Sequence, residues 1–205
     1  ERESLLALPD TEEELIRYYT FSENDLSIIR QRRGPANRLG FAVQLCYMRY
    51  PGVMLAVDDE PFLPLLRLVS TQLKVPLEAW GDYGQRAETR REHLMELQSI
   101  FGYQPFTTGH YRPSVHSLNE LAWQTDKGIV LATALVGGLR RRSVLLPSPG
   151  VIDRICAEAI TRANRRIYET LSEPLSDTHR HHFDDLLKRR DNSKVTRLAW
   201  LRQSP

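Results

Sequence analysis

The sequence predicts an all-α protein: tandem small helix-turn-helix-like domains followed by a helical linker or scaffold region. Three observations predict it. Helix-capping signatures recur just ahead of apolar runs. The apolar residues in those runs then return with a 3.6-residue period. No stretch sustains the strict alternation of a half-buried strand.

Thr11-x-x-Glu14 is a capping box ahead of Leu15, Ile16 and Tyr18-Tyr19. Ser22-x-x-Asp25 opens a second short helix carrying Leu26, Ile28 and Ile29. Gln31 to Pro35 is a turn, with Pro35 at the first position of a third helix. Leu39, Ala42, Val43, Cys46 and Tyr50 form one stripe of that helix. Phe41, Leu45 and Met48 add a second apolar side, so burial on two faces is expected. A fourth helix is expected over 61–73 and a fifth over 86–101, closed by Gly102. Residues 102–116 are expected to be a loop, Ser117-x-x-Glu120 to cap the next helix, and Asp126-Lys127-Gly128 to break it, with a small-residue stretch following to Gly137-Gly138. The longest helix is expected over 149–171, stopped by Pro174, with another over 176–190 and a last one begun at Val195. Punctuation at Val75-Pro76 and Gly81 to Gly84 divides the chain into 1–74, 75–138 and 139–205.

Hydrophobic residues make up 41% of the 205, enough for a packed core and too many for disorder. No apolar run approaches the roughly 20 residues of a membrane span, and no leader is visible, so a cytoplasmic protein is expected. Glu1 stands in place of an initiator Met, and the last helical pattern has only begun when the chain stops. The chain therefore reads as a piece of something longer. Cys46 and Cys156 lie far apart in apolar patterns and read as two buried thiols. Net charge is only +2, but its distribution is uneven. Residues 1–139 hold 14 basic and 18 acidic residues, residues 140–205 hold 14 and 8, and 26–57 holds five arginines and no acid.

No nucleotide-binding glycine motif is present. His179, His181 and His182 are interrupted by Arg180 and read as an exposed helix start, not a metal site. Asp58-Asp59-Glu60 and Asp184-Asp185 are neighbours in sequence, whereas a phosphoryl-transfer site needs carboxylates converging from separate elements. No catalytic residue and no cofactor is expected in this chain.

The remaining signal suits nucleic acid. In a helix-turn-helix the start of the second helix meets base edges while its neighbours hold phosphates. Arg30, Arg32, Arg33, Asn37 and Arg38 occupy that place, and Arg and Asn are the side chains that read guanine and adenine bidentately. From residue types alone the same run is also a solvated turn. Arg86, Arg90, Arg91 and His93 open the second unit similarly, followed by Tyr103, Gln104 and Arg112, though mixed with Glu88, Glu92 and Glu96. Arg140, Arg141 and Arg142 are phosphate-binding candidates, or a solvated loop.

The stretch from Arg33-Gly34-Pro35-Ala36-Asn37-Arg38 to Leu45-Cys46, running into Met48-Arg49-Tyr50-Pro51-Gly52, resembles the N-terminal region of Tn-three family bacterial transposases. Gln72-Leu73, Leu77, Tyr83 and the Arg-rich helix ending Phe101-Gly102-Tyr103 are similar to the next part. Leu145 to Pro149, leading to Ile167-Tyr168-Glu169-Thr170-Leu171, resembles the third. The resemblance implies N-terminal helical domains that recognise the inverted-repeat ends of a transposon as double-stranded DNA. It also implies that the catalytic carboxylates and Mg²⁺ sit in a ribonuclease-H-like domain further on, with self-association of the whole protein possible. The expected function is sequence-specific duplex binding. The rival is a helical interaction or dimerisation module without DNA readout, which a long amphipathic helix such as 149–171 would also suit.

Overall fold

A computed structural model describes residues 5–56, 59–83, 87–189 and 194–202. The described residues form eleven α-helices and a 3-10 helix, with two isolated bridges and no strand. They divide into two compact units, Glu1–Ala159 and Ile160–Pro205.

The first unit is built around one helix. α1 (Glu12–Tyr19) and α2 (Glu23–Arg30) are short, and each begins at its sequence cap: Thr11 accepts from the Glu14 amide, and Ser22 and Asp25 form a reciprocal box. α3 (Pro35–Arg49) follows the Gly34-Pro35 turn. Every residue from Leu39 to Met48 is buried, so this helix is enclosed all round and not on two faces only. α1, α2, α4 (Leu63–Leu73), the 3-10 helix Leu77–Asp82 and α5 (Ala87–Phe101) all pack on it. Burial of Leu39, Phe41 and Leu45 stabilises the unit by about 1.5–3 kcal/mol per side chain.

Polar ties fix the helices around this hub. Gln72 of α4 accepts from the Phe21 amide at 2.9 Å and donates to the Tyr19 carbonyl at 3.0 Å, locking the end of α4 to the α1–α2 joint. Arg49 pairs with Asp25 at 2.6 Å. Burial alone would raise the Asp25 carboxyl, but hydrogen bonds from Arg49 and Ser22 outweigh it and hold the group below its ordinary value.

One hydrophobic cluster draws residues from both sides of the division expected at 74/75. Val75, Ala79, Leu97 and Leu145 belong to the same hydrophobic cluster as Leu15, Ile29 and Val69. One long-range contact that joins the two sides is Tyr83 on α3: Gly40 lets the ring lie directly on that helix, where an added Cβ would fall 2.1 Å from a ring carbon.

The segment expected to be a loop and the small-residue stretch after it are both largely helical. α6 (Thr108–Ser117) fills most of the expected loop and tolerates Pro113 inside it. Burial of Ser114, Val115 and the following Leu118 outweighs the helix-breaking residues. Ser117 closes α6 instead of capping the next helix, and its hydroxyl donates to the Ser114 carbonyl. α7 (Asn119–Gln124) starts after Leu118. α8 (Gly128–Arg141) spans the small-residue stretch, because Leu131, Ala132, Leu135, Val136 and Leu139 form a buried stripe that carries the glycines. α9 (Pro149–Ser172) begins in the first unit, burying Ile152, Ile155, Cys156 and Ala159.

The second unit comprises the remainder of α9 with α10 (Asp177–Leu187) and α11 (Arg197–Leu201). Ser176 and Thr196 cap the latter two, and α10 packs on α11. Neither buries a residue fully.

Candidate nucleic-acid interface

The basic turn is built by its backbone. α2 ends at Gln31, Gly34 takes a left-handed φ of +81°, and Pro35 restarts the helix. A Cβ at residue 34 would be strained at this φ, although space is open. The first turn of α3 contains no acid, so the positive end of its dipole is uncompensated. Arg30 and Arg33 are exposed, and Asn37 and Arg38 are half-buried. Asn37 donates to the Arg33 carbonyl and Arg38 to the Arg32 carbonyl, each at 3.0 Å, so both side chains brace the turn from within. With Leu39 to Met48 enclosed, α3 can meet a partner only near its ends.

Arg32 faces the other way. It pairs with Glu96 of α5 and lies over the Phe41 ring at 4.9 Å. Its neighbours on α5 are also inward. Arg90 is buried between Trp80 and Tyr83, 5.6 and 5.2 Å from their ring centres, and donates to the Ala56 carbonyl. His93 is buried against Phe41 and stacked on Tyr83, whose hydroxyl lies 3.2 Å from Nδ1. Burial pulls the His93 pKa below its ordinary value and pushes that of Tyr83 up to about 12. Arg91 is exposed, and Arg86 lies outside the described residues.

Tyr103 is half-buried beside Arg49, while the exposed Gln104 pairs its backbone with Ser143 and Leu145. Arg112 is exposed and borders a cleft of about 500 Å³ together with Thr107, Tyr111 and Arg154. The Arg140–Arg142 run separates in the same manner as 30–38. Arg140 donates to the Pro51 carbonyl at 2.8 Å and the Leu5 carbonyl at 3.0 Å, and lies 4.6 Å over the Tyr50 ring. It joins segments distant in sequence and is not presented to solvent as a phosphate ligand would be. Arg141 and Arg142 are exposed.

The structure therefore gathers Arg30, Arg33, Asn37 and Arg38 on one turn, and gives Arg32, Arg90, His93 and Arg140 places among core groups. Sequence reasoning missed Lys74, which joins Arg30 and Arg38 along one groove. It also missed Arg154 beside Arg112. In the second unit, Thr161, Asn164, Arg165 and Tyr168 share one exposed face of α9, a spacing readable in the sequence. Among the described residues no three His, Cys, Asp or Glu side chains come together. No described helix is long and apolar enough to cross a membrane.

Fold and surface together define an all-helical unit with a basic, acid-free turn raised on a rigid core. Residues 1–159 match the family described as "Domain of unknown function (DUF4158)", a span that coincides with the first compact unit. The chain belongs to that family, and over its whole length it is homologous to Tn-three family transposases. It is 69% identical over 205 residues to the transposase for transposon Tn21 of Escherichia coli. It is 52% identical over 205 residues to the transposase for transposon Tn501 of Pseudomonas aeruginosa. It is 30% identical over 199 residues to the transposase for transposon gamma-delta of Escherichia coli (strain K12). The alignments cover 100%, 100% and 94% of this chain. The chain spans about a fifth of the length of these relatives: 21%, 21% and 20%.

Proposed function

We propose that this chain is the non-catalytic part of a transposase that binds the terminal inverted repeats of a transposon as duplex DNA. The observation that carries the reading is the acid-free turn at 30–38, where exposed Arg30 and Arg33 flank the open first turn of α3. Its helix dipole and cations suit a phosphate backbone, and Asn37 and Arg38 are of the types that meet base edges. The names of the relatives support the same direction. Arg141, Arg142, Arg91 and Arg112 are exposed and suit further backbone contacts, which are sequence-independent. In this reading the metal-dependent strand chemistry belongs to parts of such transposases outside the matched fifth, and the protein works in the bacterial cytoplasm on the nucleoid. Footprinting the chain on transposon-end duplex tests it: protection confined to the inverted repeat is expected, and equal protection of scrambled DNA would remove sequence recognition.

One observation favours a second role. Phe183, Leu187, Leu198, Trp200 and Leu201 are exposed in the second unit, as an interaction or self-association surface would require. Sedimentation equilibrium of the chain without DNA tests this, with a monomer at all concentrations counting against self-association.

A further inference from the structure

Three cations from three separate elements converge on one groove of about 350 Å³: Arg30 in the last turn of α2, Arg38 in α3, and Lys74 just past α4. Leu26 and Ile29 contribute apolar walls, and no carboxylate lines the groove among the described residues. Like charges held together without a counter-charge call for an anion. Neither Arg30 nor Lys74 has a side-chain hydrogen bond or ion pair among the described residues, and Arg38 commits only Nε, to a backbone carbonyl.

Two features distinguish this groove from a chance meeting of surface charges. The first is rigidity. Gln72, two residues before Lys74, holds both the Phe21 amide and the Tyr19 carbonyl, so the end of α4 is fixed against the segment leading into α2. The backbone positions that carry Arg30 and Lys74 are therefore set before any ligand arrives, which lowers part of the ordering cost of binding. The second is the residue chosen. Lys74 closes α4 in the left-handed region, at φ +54°, where glycine is the ordinary occupant because a Cβ is disfavoured. The backbone alone favours glycine there, and lysine adds only its side chain, which lines the groove.

We propose that this groove seats a phosphodiester of the duplex backbone and that Lys74 is one of its ligands. The inference rests on the duplex-binding reading, because Arg30 and Arg38 belong to the same basic turn. It adds a contact from α4 and assigns it to sequence-independent positioning. Lys74 is a compact charge on a flexible stem and suits a phosphate oxygen better than a base edge.

The test uses the full 205-residue chain and two variants, Lys74→Gly and Lys74→Gln, titrated with transposon-end and scrambled duplexes across a range of salt. Glycine relieves the left-handed backbone, so Lys74→Gly should melt at or above the temperature of the unsubstituted chain. Both variants should nevertheless bind both duplexes roughly five- to tenfold more weakly at ~0.1 M salt, with a salt slope smaller by about 0.9. Unchanged affinity and slope in the variants, while the unsubstituted chain binds duplex, would overturn the groove and leave the duplex-binding reading standing. No duplex binding by the unsubstituted chain would instead fail that reading itself. Inorganic phosphate provides the last arm. A Lys74-dependent thermal shift with phosphate, beside unchanged duplex affinity, would assign the groove to free phosphate and overturn the duplex assignment.

Discussion

Arg33 and Arg140 stand in equally basic stretches of sequence, yet the fold uses them for different purposes. Arg33 sits exposed on the turn before α3, where Asn37 donates to its backbone carbonyl. Arg140 donates to two distant carbonyls and covers the Tyr50 ring, and burial lowers its pKa from the ordinary arginine value. The same contrast separates Arg30 from Arg32 and Arg91 from Arg90. In a small helical protein, arginine serves both as a phosphate ligand and as a long-reach clamp for loop carbonyls. A cluster of arginines in sequence does not say which, because adjacent positions on a helix or turn face different directions.

Substitutions can break this contrast or sharpen it. Arg140→Ala leaves two carbonyls and a ring without their cation and should destabilise the first unit by about 3 kcal/mol. Urea unfolding measures this, and a loss near zero would return Arg140 to the exposed set. Gly40→Ala drives a Cβ into Tyr83 and should cost about 2 kcal/mol through forced repacking of the cluster that also holds Arg90 and His93. A crystal structure of that variant with Tyr83 unmoved would contradict the packing described. Arg30→Ala should change stability by less than about 0.5 kcal/mol. Its effect should appear in duplex affinity instead, measured by fluorescence anisotropy. The smallest effect is on pH dependence. Folded His93 stays neutral below its ordinary pKa of 6.5, whereas the unfolded chain takes up a proton there. Stability should therefore be full above pH 6.5 and decline as pH falls through the folded value. His93→Phe should flatten that decline in thermal melts across the range.

Much of this contrast was not legible in the sequence. The caps at Thr11 and Ser22, the Gly34-Pro35 turn and the span of α9 could be read directly, because each depends on residues within four positions of one another. α6 and α8 could not, since Pro113 and Gly137-Gly138 argue locally against helix and the opposing term is burial supplied by distant segments. The packing that joins the two sides of position 75 is hidden for a similar reason. Gly40 reads as one weak helix position until Tyr83 is placed on it, 43 residues later in the chain. Of the candidate surface, the basic turn was visible as a run of residue types. Lys74 was not, because a lone lysine after a helix carries no signal until the fold brings it beside Arg30 and Arg38.

The central claim, that exposed cations of the α2–α3 turn hold a DNA duplex while buried arginines only hold the fold, is tested most directly by one comparison. The salt dependence of duplex binding is measured for the chain, for Arg33→Ala and for Arg90→Lys, each confirmed folded by circular dichroism. Arg33→Ala should lose about 0.9 from the slope of log affinity against log salt, the release of about one phosphate contact. Arg90→Lys should keep the slope of the unsubstituted chain, because Arg90 is enclosed by Trp80 and Tyr83. An unchanged slope for Arg33→Ala together with a reduced one for Arg90→Lys would contradict the account.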